Sequence, residues 1–202
     1  MLTRSFFVGS QKYGAYWTGD NRCLYSEIKG AMTMLLQVGN AGNIFGGADL
    51  PCFYGMPTED MWIMLYQLGM YYPFMRAHTN EFYLDREPWL QTQRVQNVIR
   101  DVMHRRYDLI HYIYSTFEFG THTGHPLMRP MWMEFPDQAE FLDVDTQFML
   151  GRSFLVAPKI TEPDAILADM HRQPVKYLLP KGEYWYNYIS KQKNTVTGEW
   201  QE

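Results

Sequence analysis

The chain has 202 residues, 46% of them hydrophobic and 16% aromatic, and a formal net charge of −4. The acidic balance excludes a nucleic-acid partner, because no basic stripe is present to release counterions, and no apolar run reaches the ~18 residues of a membrane span. The length suits one domain or two small ones but falls short of a complete (β/α)8 barrel, which needs roughly 250 residues.

Taken from the N terminus, the chain three times runs an apolar, strand-like segment into one ionisable side chain. Residues 13–19 end at Asp20, residues 41–48 at Asp49, and residues 71–77 at His78. The equal intervals, about 29 residues each, match one strand–helix unit. Between the first two lies a helical pattern over 26–38, with Ile28, Ala31, Met32, Leu35 and Leu36 at helix spacing and Gly39 as its stop. After Asp49, a loop carrying Pro51, Gly55 and Pro57 leads to Thr58. That residue reads as an N-cap, with Glu59 and Asp60 complementing the helix dipole, and the helix ends near Gly69. After His78, a polar connection containing Pro88 reaches one long helix. Its stripe is Val95, Val98, Ile99 and Val102, then Leu109, Ile110, Ile113, Tyr114 and Phe117, ending by Gly120. The basic cluster His104, Arg105 and Arg106 within it reads as a solvated turn. Alternating strands and helices make this an α/β chain with a parallel sheet.

The pattern changes near Gly124, His125 and Pro126, where prolines and short extended runs take over. Runs 153–158, 175–179 and 184–189 read as strands, the last two joined as a hairpin through residues 180–183. Alternation in that hairpin favours a core face over a sugar platform for the aromatic run 184–188. An antiparallel β domain therefore follows the α/β part, dividing the chain into 1–128 and 129–202. Cys23 and Cys52 do not amount to a disulfide framework, and they neither require nor exclude an oxidising compartment. No charged-then-apolar leader, retention tetrapeptide or Asn-x-Ser/Thr acceptor occurs in the sequence.

In a (β/α)8 barrel, residues at the C-terminal strand ends converge on the active-site face. The two equal intervals therefore point to two carboxylates and an imidazole around one pocket. Each has a plainer reading beside it: Asp20 as a turn residue or cap, Asp49 as a cap, and His78 as a core histidine. His122 and His125, with the two aspartates, do not make a metal site, because no Cys or Glu stands at ligand spacing. Neither a metal nor a cofactor is expected.

The order of several short motifs favours the functional reading. Trp17-Thr18-Gly19-Asp20-Asn21, then Gly47-Ala48-Asp49, then Arg76-Ala77-His78 resembles the family-31 glycoside hydrolases, retaining α-glucosidases and their relatives. Arg4-Ser5-Phe6-Phe7, Arg86-Glu87-Pro88-Trp89 and Pro126-Leu127-Met128-Arg129-Pro130-Met131-Trp132 extend the match in the family's order. The resemblance implies a partial (β/α)8 TIM barrel, about the last three strand–helix units, followed by part of an antiparallel β-sandwich domain. It implies Asp20 as general acid/base, with Arg4, Trp17, Asp49, Phe53 and His78 around a terminal α-linked glucose. The opening run 2–7 is most similar to the branch of the family that trims N-glycans in the endoplasmic-reticulum lumen, where the catalytic chain pairs with a separate β subunit.

The sequence also departs from the family. The nucleophile normally sits in a Trp-x-Asp-Met-Asn segment on an earlier strand, and nothing here matches it. One carboxylate of the required pair is present, so the chain alone is expected to be inactive. Where the family often continues Gly-Ala-Asp with Gly-Gly-Phe, this chain reads Leu50-Pro51-Cys52-Phe53. Where an Arg-Trp pair commonly precedes Tyr66-Gln67, it reads Ile63-Met64-Leu65. The competing reading is a non-catalytic descendant of the same fold, keeping sugar binding or a structural role.

Overall fold

The computed structural model describes residues 2–83, 85–160 and 174–202. Three short parallel strands open it: β1 (Leu2–Thr3), β2 (Ala15–Trp17) and β3 (Gly46–Gly47), with Tyr16 opposite Gly46 and Trp17 opposite Gly47. One residue beyond β3, β4 (Asp49–Leu50) pairs in parallel with β5 (Arg76–Ala77). Thr18 N donates to Gly47 O, and Phe74 N donates to Gly46 O. The run 46–50 is thus bonded on both sides and joins the two sheets into one parallel strip. Gly47 permits this, since an added Cβ would overlap the Phe74 carbonyl. β1, which the sequence pattern leaves unassigned, adds a strand beyond the three expected.

Helix α1 (Tyr25–Asn40) covers the strip after β2. It runs through Gly39 rather than stopping there. An added Cβ at Gly39 would lie 3.2 Å from Pro126, so this glycine serves close packing and not termination. Helix α2 (Glu59–Gly69) begins as expected, with Thr58 Oγ1 accepting from Met61 N at 3.3 Å. Trp62, Ile63, Met64, Leu65 and Tyr66 are all buried, so most of this helix's surface is enclosed, with Gln67 left exposed.

The long helix expected over residues 95–120 is two helices, α3 (Gln93–Asp108) and α4 (Ile110–Thr123). Leu109 leaves the helical path at φ −89°, ψ −2°. Leu109 and Ile113 are buried in the same core as Val102. Arg106, read from sequence as solvated, is half-buried instead. It donates to the Tyr72 carbonyl at 2.9 Å and also reaches those of Met70 and Pro73, fastening the end of α3 to the turn before β5.

The second part holds an antiparallel sheet of β6 (Met128–Pro130), β7 (Phe148–Leu150) and β8 (Phe154–Val156), with β7 central. Helix α5 (Met131–Glu134) follows β6 directly. Along β7, Phe148 and Leu150 join the core shared with α1–α4, while Met149 joins Met131, Phe141 and Leu178 in a second cluster. This is the two-residue alternation of a strand buried on both faces. The expected hairpin between 175–179 and 184–189 is not formed. Tyr177 bridges to Gln201 and Tyr186 to Lys193, because Asn187 Oδ1 accepts from Ile189 N and Ser190 N, both at 2.9 Å, and turns the chain there. The aromatic run is accordingly no core face. Tyr184, Tyr186 and Tyr188 are exposed, and Lys193 and Lys191 lie over the rings of Tyr184 and Tyr188. Trp185 packs inward against Phe135. Among the described residues, no helix is long and apolar enough to cross a membrane.

Candidate active site

Asp20 stands just past the C-terminal end of β2. Gly19 before it has φ +90°, the left-handed region where side chains are rare, and an added Cβ would lie 3.1 Å from the Arg4 guanidinium. The turn presents Asp20 with its side chain 23% exposed and Arg4 Nη1 at 3.5 Å from Oδ1. The Tyr54 hydroxyl donates to Oδ2 across 3.5 Å. Asn21 then couples two strand ends. Its Nδ2 donates to Asp49 O at 3.0 Å, and its Oδ1 accepts from Phe53 N at 2.9 Å.

Asp49, in β4, is fully buried. Its Oδ1 accepts from Arg76 Nη2 at 2.8 Å and from Arg76 Nε at 3.2 Å. Burial pushes its carboxyl pKa up. The hydrogen bonds and charge of Arg76 pull it down, as does His78, while the charge of Asp20 pushes it up. Asp20 and His78 therefore both act electrostatically on this one carboxyl. The Arg76 guanidinium lies 5.3 Å from the Trp17 ring centroid, and the rings of Phe53 and His78 are 5.1 Å apart. Two buried atoms here lack a hydrogen-bond partner within the protein, Asp49 Oδ2 and Trp17 Nε1.

The six residues singled out in the sequence thus occupy one region, in contacting groups: Arg4 with Asp20, Trp17 with Asp49 through Arg76, and Phe53 with His78. Three participants were not singled out. Arg76 sits two residues before His78, on the same face of an extended segment, so its role was legible. Asn21 is adjacent to Asp20 and was read only as part of a motif. Tyr54 carries no sequence signal. The two cysteines are joined as a disulfide, Cα to Cα 5.3 Å, a spacing ordinary for such a bond. Their separation of 29 residues repeats the interval between Asp20 and Asp49, each cysteine standing three positions beyond its aspartate.

A parallel strip with its ionisable residues at the C-terminal strand ends is the construction of the active-site face of a (β/α)8 barrel. Residues 1–116 match the family model for the glycosyl hydrolases family 31 TIM-barrel domain, and residues 124–202 match the one for the glycosyl hydrolase family 31 C-terminal domain. The chain belongs to glycoside hydrolase family 31. It is 42% identical to human neutral alpha-glucosidase C over 188 residues, covering 93% of this chain and 20% of that protein. A crystal structure of a glucosidase II alpha subunit, bound to Glc1Man2, superposes with a TM-score of 0.89 at 33% identity, covering 99% of this chain and 21% of that one. A structure of the ER glucosidase II heterodimer, of catalytic subunit and the binding domain of the regulatory subunit, matches with a TM-score of 0.89 at 34% identity, covering 96% and 20%. The chain spans about a fifth of the length of these relatives.

Proposed function

We propose that this chain is the acid/base-bearing part of a retaining α-glucosidase that removes terminal α-linked glucose, in N-glycan trimming. Asp20 is the general acid/base. It protonates the glycosidic oxygen as the bond breaks and later deprotonates the water that releases the sugar, a service worth ~10² to 10⁴ in rate. Asp49, Arg4 and His78 hold the hydroxyls of the glucose, and Trp17 and Phe53 form its apolar wall. The nucleophile carboxylate comes from a strand outside these 202 residues, so the chain by itself is inactive. In this reading residues 1–128 are the C-terminal portion of a (β/α)8 barrel, and residues 129–202 begin a β-sandwich. The compartment is the endoplasmic-reticulum lumen, an oxidising setting in which a disulfide persists, and the partner is a separate β subunit.

The observation that carries the reading is the pair of orphaned polar atoms beside the proton donor. Asp49 Oδ2 and Trp17 Nε1 are buried without partners, an arrangement that costs about 1–3 kcal/mol per group unless something bonds them. A sugar supplies hydroxyls that both accept from an indole N–H and donate to a carboxylate. The test is Asp20→Asn in the full-length polypeptide carrying this segment, assayed on p-nitrophenyl α-glucoside. Turnover is expected to fall by at least ~10² while an iminosugar inhibitor still binds. Undiminished turnover rejects the acid/base role. Iminosugar binding without turnover in the unmodified full-length polypeptide selects the non-catalytic sugar-binding descendant instead.

A further inference from the structure

The Cys23–Cys52 disulfide joins the two loops that carry the active-site machinery, the one after β2 and the one after β4. Around it the same loops form a short parallel ladder: Phe53 N and Tyr54 N donate to Asn21 O, both at 2.9 Å, and Cys23 N donates to Tyr54 O at 3.0 Å. Cys52 is fully buried. Cys23 is partly buried and borders a cleft of about 460 Å³ lined also by Arg22, Tyr54 and Tyr83. Directly past the buried sulfur come Phe53, against His78, and Tyr54, whose hydroxyl reaches Asp20. On the other side, only two residues, Asn21 and Arg22, separate Cys23 from Asp20 itself. A crosslink so placed fixes the distance between the proton donor and the loop that faces it. The Phe53 side of that loop has other supports, since Thr79 Oγ1 donates to Phe53 O at 3.1 Å and Arg86 reaches Gly55 O. The segment 20–23 has no such tie to the β5 side among the described contacts, and its register rests on the ladder, on the Asn21 side-chain bonds to Asp49 O and Phe53 N, and on the disulfide.

We propose that the Cys23–Cys52 disulfide is a positioning device for the acid/base: it holds Asp20 in register with the Phe53–Tyr54 loop, and its reduction detunes protonation of the leaving group. The inference rests on the function proposed above. Reduction by a dithiol is balanced: one thiolate attacks Sγ of Cys23, Cys52 leaves as a thiolate, and the reductant's second thiol closes its own disulfide. Two electrons and two protons pass to the cysteines.

The test compares the full-length enzyme, oxidised and reduced with dithiothreitol, on two substrates. An alkyl α-glucoside has a leaving group that needs a proton, and α-glucosyl fluoride has one that does not. Misplacement of a catalytic group by about 1 Å costs up to roughly 10². Reduction is therefore expected to lower kcat/KM, which reports the bond-breaking step alone, roughly tenfold or more on the alkyl glucoside, with kcat/KM on the fluoride within about twofold, and reoxidation to restore it. The double substitution Cys23→Ser with Cys52→Ser should reproduce the reduced behaviour, and chemical reduction of folded enzyme serves if that variant fails to fold. Parallel loss on both substrates means a merely structural crosslink and overturns the proposal. So does unchanged activity, or alkylation of Cys23 and Cys52 in the folded, unreduced enzyme. Should Asp20→Asn hydrolyse the alkyl glucoside normally, the functional reading fails, while thiol mapping still decides whether the crosslink exists.

Discussion

At the scale of single residues, Asp49 and Arg76 are the pair on which the site is built. A carboxylate with no exposed surface survives beside a guanidinium because the Arg76 hydrogen bonds offset part of its desolvation. Arg76→Met should therefore destabilise the full-length enzyme by about 3–5 kcal/mol, and Asp49→Asn in that background should recover part of the loss in calorimetry. Failure of the second change to help would mean that the ion pair is not what Arg76 contributes. The pH dependence has a definite sign. The folded-state pKa of Asp49 lies above its ordinary 3.8, so the folded protein keeps this proton at a pH where the unfolded chain has lost it. Its contribution is present below pH ~3.8 and lost as pH rises through the folded value, so Asp49→Asn should flatten that decline.

At the scale of elements, the helices divide by how their ends are specified. The start of α2 was legible because Thr58, Glu59 and Asp60 are local signals, and Thr58 makes the expected bond to Met61 N. Thr58→Ala should cost about 1 kcal/mol, seen as a lowered Tm with activity retained; a Tm within error of the parent would mean that the cap carries no stability here. The break at Leu109 had no such signal, since neither Gly nor Pro stands there. It is set by what the two helices pack against, Arg106 at the turn before β5 and Tyr112 on the Leu150 carbonyl at 2.8 Å. Gly39 misled for the same reason: its lack of a side chain answers Pro126, 87 positions further along the chain.

At the scale of the whole molecule, the parallel strip ends in β1 and β5, which pair on one side only among the described strands. Unpaired edges of this kind template association. The isolated 202-residue chain is accordingly expected to self-associate, and light scattering that showed a stable monomer with a cooperative melt would contradict this. By itself the sequence determined the strand–helix rhythm, the three ionisable strand ends, the cap at Thr58 and the change to β structure after Gly124. Each is written in neighbouring residues, through a repeat of two or 3.6 positions or through a turn-forming side chain. Only the tertiary structure decided that Cys23 meets Cys52, that Asp49 holds Arg76, that one helix becomes two, and that Tyr177 pairs with Gln201 rather than with the next strand. Those contacts are chosen by which distant segments close on one another, where burial and hydrogen-bond satisfaction across the whole core outweigh local preference.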